Sequence, residues 1–161
     1  MCAYVLCWSS LKILLSKAAA SNGDIYSWGI EFAFSLGRAG SATTPGKLSS
    51  IPKGVVTALI ANDNYGIVIV NGVIYSWGYG LESTVLPSGP LPSAYSGAAL
   101  FGGETLATID GGSSAILVTT TAGSLYQLDT NYNYGSTESK QFTRVTSDSF
   151  NWPSRESARR Y

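Results

Sequence analysis

One eight-residue phrase occurs twice in this chain, about fifty residues apart. The segment NGDIYSWG spans residues 22–29, and NGVIYSWG spans residues 71–78. A weaker copy, AGSLYQLD at residues 122–129, keeps the glycine, the aliphatic residue and the tyrosine in the same order. The tyrosines of successive copies are 49 and 51 residues apart. Such a period is typical of solenoids, propellers and other arrays, in which each repeat buries its apolar surface against its neighbours.

The composition of the 161-residue chain indicates an all-β fold. Hydrophobic residues make up 45% and charged residues 12% of the sequence, and this balance favours a folded domain over disorder. The chain contains 18 Gly, 10 Tyr and 4 Trp, while segments rich in Ala, Glu, Lys and Leu are nearly absent. These features favour strands joined by turns.

The middle copy of the phrase predicts a hairpin. Two apolar runs, at residues 67–70 and 73–77, flank Asn71-Gly72. An Asn-Gly pair in this position favours a type I′ turn, in which both central residues have positive φ. The second run has bulky side chains at both odd and even positions, so we expect a sheet covered on both faces, as stacked propeller blades provide.

Other segments complete the predicted organisation. Further strands are expected at residues 54–60, 98–100, 105–109 and 115–120. The opening 21 residues are interpreted as part of a repeat rather than as a secretory signal, because a basic first segment is missing and Lys12 interrupts the apolar run. Prolines are expected in loops, since proline cannot donate a ladder hydrogen bond; they are Pro45, Pro52, Pro87, Pro90 and Pro92.

Charge is unevenly distributed, although the formal net charge is zero. Residues 1–60 carry five Lys or Arg against two acids, residues 61–139 carry none against six, and residues 140–161 carry five against two. A surface for nucleic acid needs a continuous basic face. The middle of the chain therefore disfavours direct nucleic-acid binding.

The sequence offers little for catalysis or for a cofactor. It has no histidine, and its two cysteines are Cys2 and Cys7, so the usual zinc ligand sets cannot be assembled. No carboxylates are paired at a spacing that suggests shared acid-base work. We therefore predict no catalytic residue, no metal, no cofactor and no enzymatic activity.

The residues around the phrase resemble the repeat of the RCC1 family, the regulators of chromosome condensation. Trp28-Gly29 and Trp77-Gly78 match the Trp-Gly pair of that repeat, and Leu36-Gly37 match the end of its turn motif. The third copy has Leu128-Asp129 in place of Trp-Gly. The sequence departs from the family repeat at two positions. The histidine of the repeat is missing, and Tyr65 and Ser113 or Ser114 lie near its place. Ser35 stands where the repeat usually has glutamine.

The resemblance covers roughly residues 10–147 and implies RCC1-like β-propeller blades. The family's ring has about seven blades, and at about fifty residues each this chain supplies about three, so we expect an incomplete ring. The predicted domains are a repeat region at residues 1–147 and a C-terminal tail at residues 148–161. Kelch repeats, another type of propeller and an unrelated β fold are the alternatives.

The candidate residues belong to two groups. The first is interpreted as packing positions of the blades: Gly23, Tyr26, Trp28, Gly29, Leu36, Gly37, Gly72, Tyr75, Trp77, Gly78, Gly123 and Tyr126. The second is a possible contact loop at residues 130–137, which contains Tyr132 and Tyr134. Tyrosine is enriched in binding surfaces because it offers a large contact area at low entropy cost.

Three functional hypotheses follow. The first is a non-catalytic protein-protein interaction module, a scaffold whose open blade edges are covered by a protein partner or by further copies of the chain. The second, implied by the resemblance, is guanine nucleotide exchange on a small GTPase. The third is a truncated remnant without independent function. An intracellular location, cytoplasmic or nuclear, is expected, and no apolar run reaches the ~18 residues of a membrane helix.

Overall fold

The structure is a computed structural model that describes residues 6–8, 15–29, 34–62, 64–79, 81, 86, 89–95, 100–112, 115–130 and 141–146. Within these ranges the chain forms twelve strands in three antiparallel four-stranded sheets, and no helix. The all-β prediction is confirmed. No helix in the described ranges has the length and apolar character needed to cross a bilayer.

Each sheet takes four strands that are consecutive in the sequence, and we call the sheets blades 1, 2 and 3. Strands pair in sequence order within every blade. Blade 1 contains β1 (Leu6–Trp8), β2 (Leu15–Ala19), β3 (Ile25–Gly29) and β4 (Gly46–Lys47); blade 2 contains β5 (Val56–Ala61), β6 (Tyr65–Val70), β7 (Val73–Gly78) and β8 (Gly89–Tyr95); blade 3 contains β9 (Leu106–Gly111), β10 (Ala115–Thr120), β11 (Leu125–Asp129) and β12 (Thr143–Arg144).

The repeated phrase forms the third strand of each blade, with a partner strand on both sides. The predicted hairpin is present: β6 and β7 pair from Tyr65 opposite Gly78 to Val70 opposite Val73. Asn71 and Gly72 between them have φ of 51° and 78°, as a type I′ turn requires. Local turn chemistry therefore sets the register of blade 2.

Two prolines lie in a strand, which corrects the prediction that they lie in loops. Pro90 and Pro92 belong to β8, the outer edge strand of blade 2. The pairing of β8 with β7 shifts between Ser76 and Gly78. An edge strand with an irregular register tolerates a missing amide hydrogen, because fewer ladder bonds depend on it. Pro45 and Pro52 lie in irregular segments as expected, and Pro87 lies outside the described residues.

The other predicted strands differ from the structure mainly at their ends. The strand expected at residues 115–120 is confirmed with those bounds. Leu100, the described end of the strand expected at residues 98–100, lies in a turn. The predicted tail at residues 148–161 lies outside the described residues.

The core lies between the blades. We call the side of a blade that meets the next blade along the chain its forward face, and the opposite side its backward face. On β6, Ile67 and Ile69 join an apolar cluster with blade 3, while Val68 and Val70 join a cluster with blade 1. Both faces of blade 2 are therefore covered, as the pattern of its third strand predicted.

Candidate functional site

Trp77 is the centre of the interface between blades 1 and 2. Its side chain is fully buried, and its Nε1 donates a hydrogen bond of 2.8 Å to the carbonyl oxygen of Ser35. Gly37 has a φ of 70° and lies against the indole, with no room for a Cβ atom. The Trp-Gly pair of one repeat thus packs on the Leu-Gly turn of the repeat before it.

Lys17 is buried in the same interface, which the sequence analysis missed. Its Nζ donates a 3.0 Å hydrogen bond to the carbonyl oxygen of Tyr65 and lies 5.3 Å from the centre of the Trp77 ring, a distance that allows a cation–π interaction. Counting along the repeat could have marked the position, because Lys17 precedes Ile67 by fifty residues and Leu117 by one hundred.

The interface between blades 2 and 3 is built from aromatic and aliphatic side chains. The Tyr65 hydroxyl donates a 2.6 Å hydrogen bond to the carbonyl oxygen of Gly112, and burial raises the pKa of that phenol. The rings of Phe101 and Tyr126 lie 5.2 Å apart. Leu128, which replaces the repeat tryptophan, is 1% exposed in the same apolar cluster.

Arg38 holds the loop between β3 and β4. Its Nη2 donates to the carbonyl oxygens of Ser27, Ser41 and Thr44 at 2.8 to 3.0 Å, and its Nε donates to the Ser27 hydroxyl. The Ser27 hydroxyl in turn donates to the carbonyl oxygen of Leu36. One guanidinium therefore satisfies several backbone acceptors of an irregular segment.

Two repeats place a cation at the same position of the outer strand. Lys47 pairs opposite Tyr26 in blade 1, and Arg144 pairs opposite Tyr126 in blade 3. Lys47 Nζ lies 2.6 Å from a carboxylate oxygen of Asp24, and Arg144 donates to the Ser124 hydroxyl. In blades 1 and 3 these contacts tie the outer strand to the turn that comes directly before the third strand.

One carboxylate in blade 1 and one next to blade 3 have lowered pKa values, which favours their charged form. The hydrogen bond from Lys47, with help from Lys53, holds the pKa of Asp24 below its ordinary value of 3.8. Hydrogen bonds from the hydroxyls of Thr120 and Ser124 hold the pKa of Glu104 below its ordinary value of 4.5. Both groups are engaged in holding turns, so their geometry gives no sign of acid-base chemistry.

The remaining candidate residues lie on strands, in turns or outside the described residues. Tyr26, Trp28 and Tyr75 are half-buried on third strands. Tyr132 and Tyr134 lie outside the described residues, so the contact loop stays a prediction. Of the other positions in the first group, Leu36 is buried in the loop after β3, and glycines lie at turns or strand ends: Gly23, Gly29, Gly72, Gly78 and Gly123.

The forward face of blade 3 is open in the structure. Leu117 on β10 is 43% exposed, whereas Ile67 and Lys17 at the same repeat position of blades 2 and 1 are 0% exposed. Leu117 lies in a shallow concavity together with Asp110, Gly111, Gly112, Ala115 and Gln127. Leu117 is therefore an aliphatic side chain left exposed at a repeat position that is buried between blades elsewhere in the chain.

Among the described blades, the backward face of blade 1 is the other end of the stack. Trp28 lies there and is half-buried, while its counterparts Trp77 and Leu128 are 0% and 1% exposed. The described part of the chain holds no group of three or more His, Cys, Asp or Glu that could bind a metal ion. The candidate functional site is the pair of blade faces at the two ends of the described stack.

Solved structures of RCC1-family propellers are similar to this chain. Human WBSCR16 is 21% identical with a TM-score of 0.63, over 82% of this chain and 37% of that one. Prp20p from Saccharomyces cerevisiae is 17% identical with a TM-score of 0.62, over 89% and 38% of the two chains. Yeast RCC1 (Prp20) bound to Kap60 is 18% identical with a TM-score of 0.62, over 83% and 35%.

These structural similarities identify the fold. The chain has the fold of an incomplete RCC1-type β-propeller. It spans little more than a third of the length of the solved structures it matches, and an unrelated β fold is excluded. No family model and no curated protein matches the sequence.

Proposed function

We propose that the chain is a non-catalytic protein-protein interaction module made of RCC1-like propeller blades. The observation that carries the proposal is the open forward face of blade 3, where Leu117 is 43% exposed at a position buried in the other two blades. Burial of such a side chain is favourable by roughly 25 cal/mol per Å² of apolar surface removed from water. In this proposal, residues 1–147 form the repeat region that presents the face.

Similar structures support a protein partner. The Prp20p structure is described with its binding properties to Gsp1p and histones, and yeast RCC1 is described bound to Kap60. The acidic stretch at residues 61–139, with six acids and no Lys or Arg, favours a partner with a basic surface through electrostatic complementarity. A cytoplasmic or nuclear location stays a prediction.

Guanine nucleotide exchange on a small GTPase is the second candidate. The RCC1 resemblance implies it, and Gsp1p is named with Prp20p. Exchange requires specific loops presented on a propeller face, and function lies in such sites rather than in the fold. The interaction module is the better-supported proposal, because its surface lies among the described residues.

Site-specific cross-linking in an extract of the source cells tests the interaction module. A photo-reactive amino acid is placed at Gln127, which is exposed on the forward face of blade 3, and in a matched protein at Val55, which is 69% exposed elsewhere. We expect one dominant cross-linked protein from position 127, absent from position 55 and lost when Leu117→Arg is added. The same background set from both positions would contradict the proposal.

A nucleotide-release assay separates the two candidates. Purified chain is mixed with Gsp1p loaded with labelled GDP, and the release rate is measured with and without the chain. An unchanged rate together with the position-specific cross-link supports the interaction module. Accelerated release supports exchange. If the chain shows no cooperative unfolding transition, the truncated remnant is the better account.

A further inference from the structure

We propose that Phe34 is a contact residue whose ring enters an apolar pocket on another protein. Phe34 lies in the loop after β3, and its side chain is 56% exposed. Its φ is 65°, in the left-handed region that bulky residues rarely adopt. The inference goes beyond the proposed function, because it concerns a surface away from the forward face of blade 3. That face is tested at Gln127 and this surface at position 34, so each proposal can fail alone.

The backbone of Phe34 carries a cost that its ring does not recover within the fold. A left-handed conformation is unfavourable for a residue with a Cβ atom, and glycine is free of that penalty. The ring keeps more than half of its contact with water, so burial offsets only part of the cost. Strained residues of this kind persist where the surrounding structure fixes them, and they cluster at functional sites.

The turn that contains Phe34 is held by buried neighbours. The carbonyl oxygen of Phe34 accepts a 3.0 Å hydrogen bond from the amide of Gly37. Ser35 and Leu36 are 0% exposed, and the carbonyl oxygen of Ser35 accepts the hydrogen bond from Trp77. An aromatic ring on a fixed turn loses little conformational freedom on binding, which favours a strong contact.

This turn belongs to the interface between blades 1 and 2. Gly37 lies against Trp77 of blade 2, and the carbonyl oxygen of Leu36 accepts a 2.7 Å hydrogen bond from the Ser27 hydroxyl of blade 1. Both blades are described. The exposure of Phe34 therefore does not depend on what covers the two ends of the stack.

An aromatic residue recurs at this loop position in the sequence. Tyr26 and Tyr126 are 100 residues apart, and the same offset leads from Phe34 to Tyr134 of the predicted contact loop, which lies outside the described residues. The second repeat has no aromatic residue in the corresponding segment LESTV at residues 81–85. A ring that one repeat lacks is not a packing requirement of every blade, which favours a role in binding.

The chemistry around Phe34 favours a protein partner. Residues 34–44 contain one charged side chain, Arg38, and its guanidinium donates to backbone oxygens of its own loop. Nucleic acids and anionic membranes attract proteins through free cations, which this segment does not offer. An exposed ring without surrounding charge gains most from a closed apolar pocket, as aromatic anchors do in protein interfaces.

Urea unfolding separates a role in the fold from a role in binding. Phe34→Gly and Phe34→Ala both remove the ring, and only the alanine keeps a Cβ atom on the left-handed backbone. We expect the unfolding midpoint of Phe34→Gly to equal or exceed that of the wild type, and that of Phe34→Ala to be lower than Phe34→Gly by roughly 0.5 M urea. A midpoint of Phe34→Gly well below the wild type would show that the ring packs the fold, and would overturn the proposal.

Photo-cross-linking in an extract of the source cells tests the contact. Benzoylphenylalanine, a photo-reactive analogue of phenylalanine, replaces Phe34, and in a matched protein it replaces Leu91, which is 55% exposed on β8. We expect one protein joined to position 34 and not to position 91, with the modified peptide lining an apolar pocket of that protein. The same products from both positions overturn the proposal, as does a product with lipid, with nucleic acid or with a second copy of this chain.

Competition by unlabelled chain shows whether the ring itself binds. Wild type, Phe34→Tyr and Leu91→Asn are expected to suppress the cross-link from position 34 equally. Phe34→Asn keeps a residue that tolerates the left-handed backbone but removes the ring, so we expect it to require roughly tenfold more protein for the same suppression. Equal suppression by Phe34→Asn and the wild type overturns the role of the ring. Circular dichroism verifies that each variant is folded.

Discussion

At the scale of single residues, the interface between blades 1 and 2 depends on a glycine that lies against a tryptophan. Gly37 has positive φ, and a Cβ atom at this position would collide with the Trp77 indole. Two separate requirements therefore fall on one residue, a left-handed backbone and the absence of a side chain. In this chain the Leu-Gly turn of the first repeat needs its glycine because Trp77 of the second repeat packs on it.

Alanine substitution at two glycines separates these requirements. Gly72 has positive φ, and a Cβ atom added there has nothing within contact distance. For Gly72→Ala we therefore expect only the cost of the left-handed backbone, a loss of about 1 to 2 kcal/mol of unfolding free energy. Gly37→Ala adds the collision with Trp77, which costs roughly a further 1 to 3 kcal/mol. Urea unfolding measures both. Equal losses would show that the indole moves aside freely.

The carboxylate of Asp24 predicts a pH dependence. Its pKa is lowered in the folded state, chiefly by the hydrogen bond from Lys47, so its contribution to stability is present above pH 3.8 and is lost as the pH falls through the folded pKa. We expect the unfolding free energy of Asp24→Asn to fall less than that of the wild type on acidification below pH 4.

The matched control for this titration is Val55→Asn, which places the same amide side chain at a position that is 69% exposed and removes no ionisable group. The control is expected to keep the wild-type dependence of stability on pH. Chemical unfolding from pH 6 down to about pH 2 measures all three proteins, and a wild-type dependence in Asp24→Asn would contradict the role of the ion pair.

At the scale of elements, the outer parts of blades 1 and 3 are held by side chains rather than by long ladders. Strands β4 and β12 contain only two residues each. In blade 1 the loop before β4 is fixed by Arg38, which donates to backbone oxygens between Ser27 and Thr44. Outer strands can be short because these contacts satisfy the backbone groups that a longer ladder would pair.

Arg38→Lys tests that role. A lysine offers three donors at one point and cannot reproduce the spread of the guanidinium. The part-buried carbonyl oxygen of Ser27 and the exposed ones of Ser41 and Thr44 cannot all keep their bonds, so we expect a loss of about 1 to 2 kcal/mol. Arg144→Lys is the control, because a lysine can keep the bond to Ser124, and its expected loss is under about 1 kcal/mol. Thermal unfolding measures both, and equal losses would contradict the prediction.

At the scale of the whole molecule, blade 2 is the stable centre of the stack because it alone among the described blades is covered on both faces. All six residues of β6 are buried, whereas the forward face of blade 3 exposes Leu117. Local opening requires less free energy where fewer apolar contacts are lost. The ends of the stack are therefore expected to open before its middle.

Amide hydrogen exchange measures this gradient. We expect the slowest exchange in β6 and β7, and the fastest in the two-residue strands β4 and β12. Leu117→Arg provides the control for association through the forward face of blade 3, because it places a charge on that face. The slowest exchange in blade 1 or blade 3, or uniform exchange over the described strands, would contradict the prediction.

The sequence by itself determined the repeat, the strand class and the hairpin at Asn71-Gly72. These features follow from turn chemistry and from alternation along a strand, which act over a few residues. The tertiary structure decided which side chains meet between blades. Lys17 bonds Tyr65 across 48 positions and Trp77 bonds Ser35 across 42, and no local pattern specifies such pairs. Likewise Leu117 and Ile67 occupy one repeat position, and only the stacking of the blades leaves Leu117 exposed and buries Ile67.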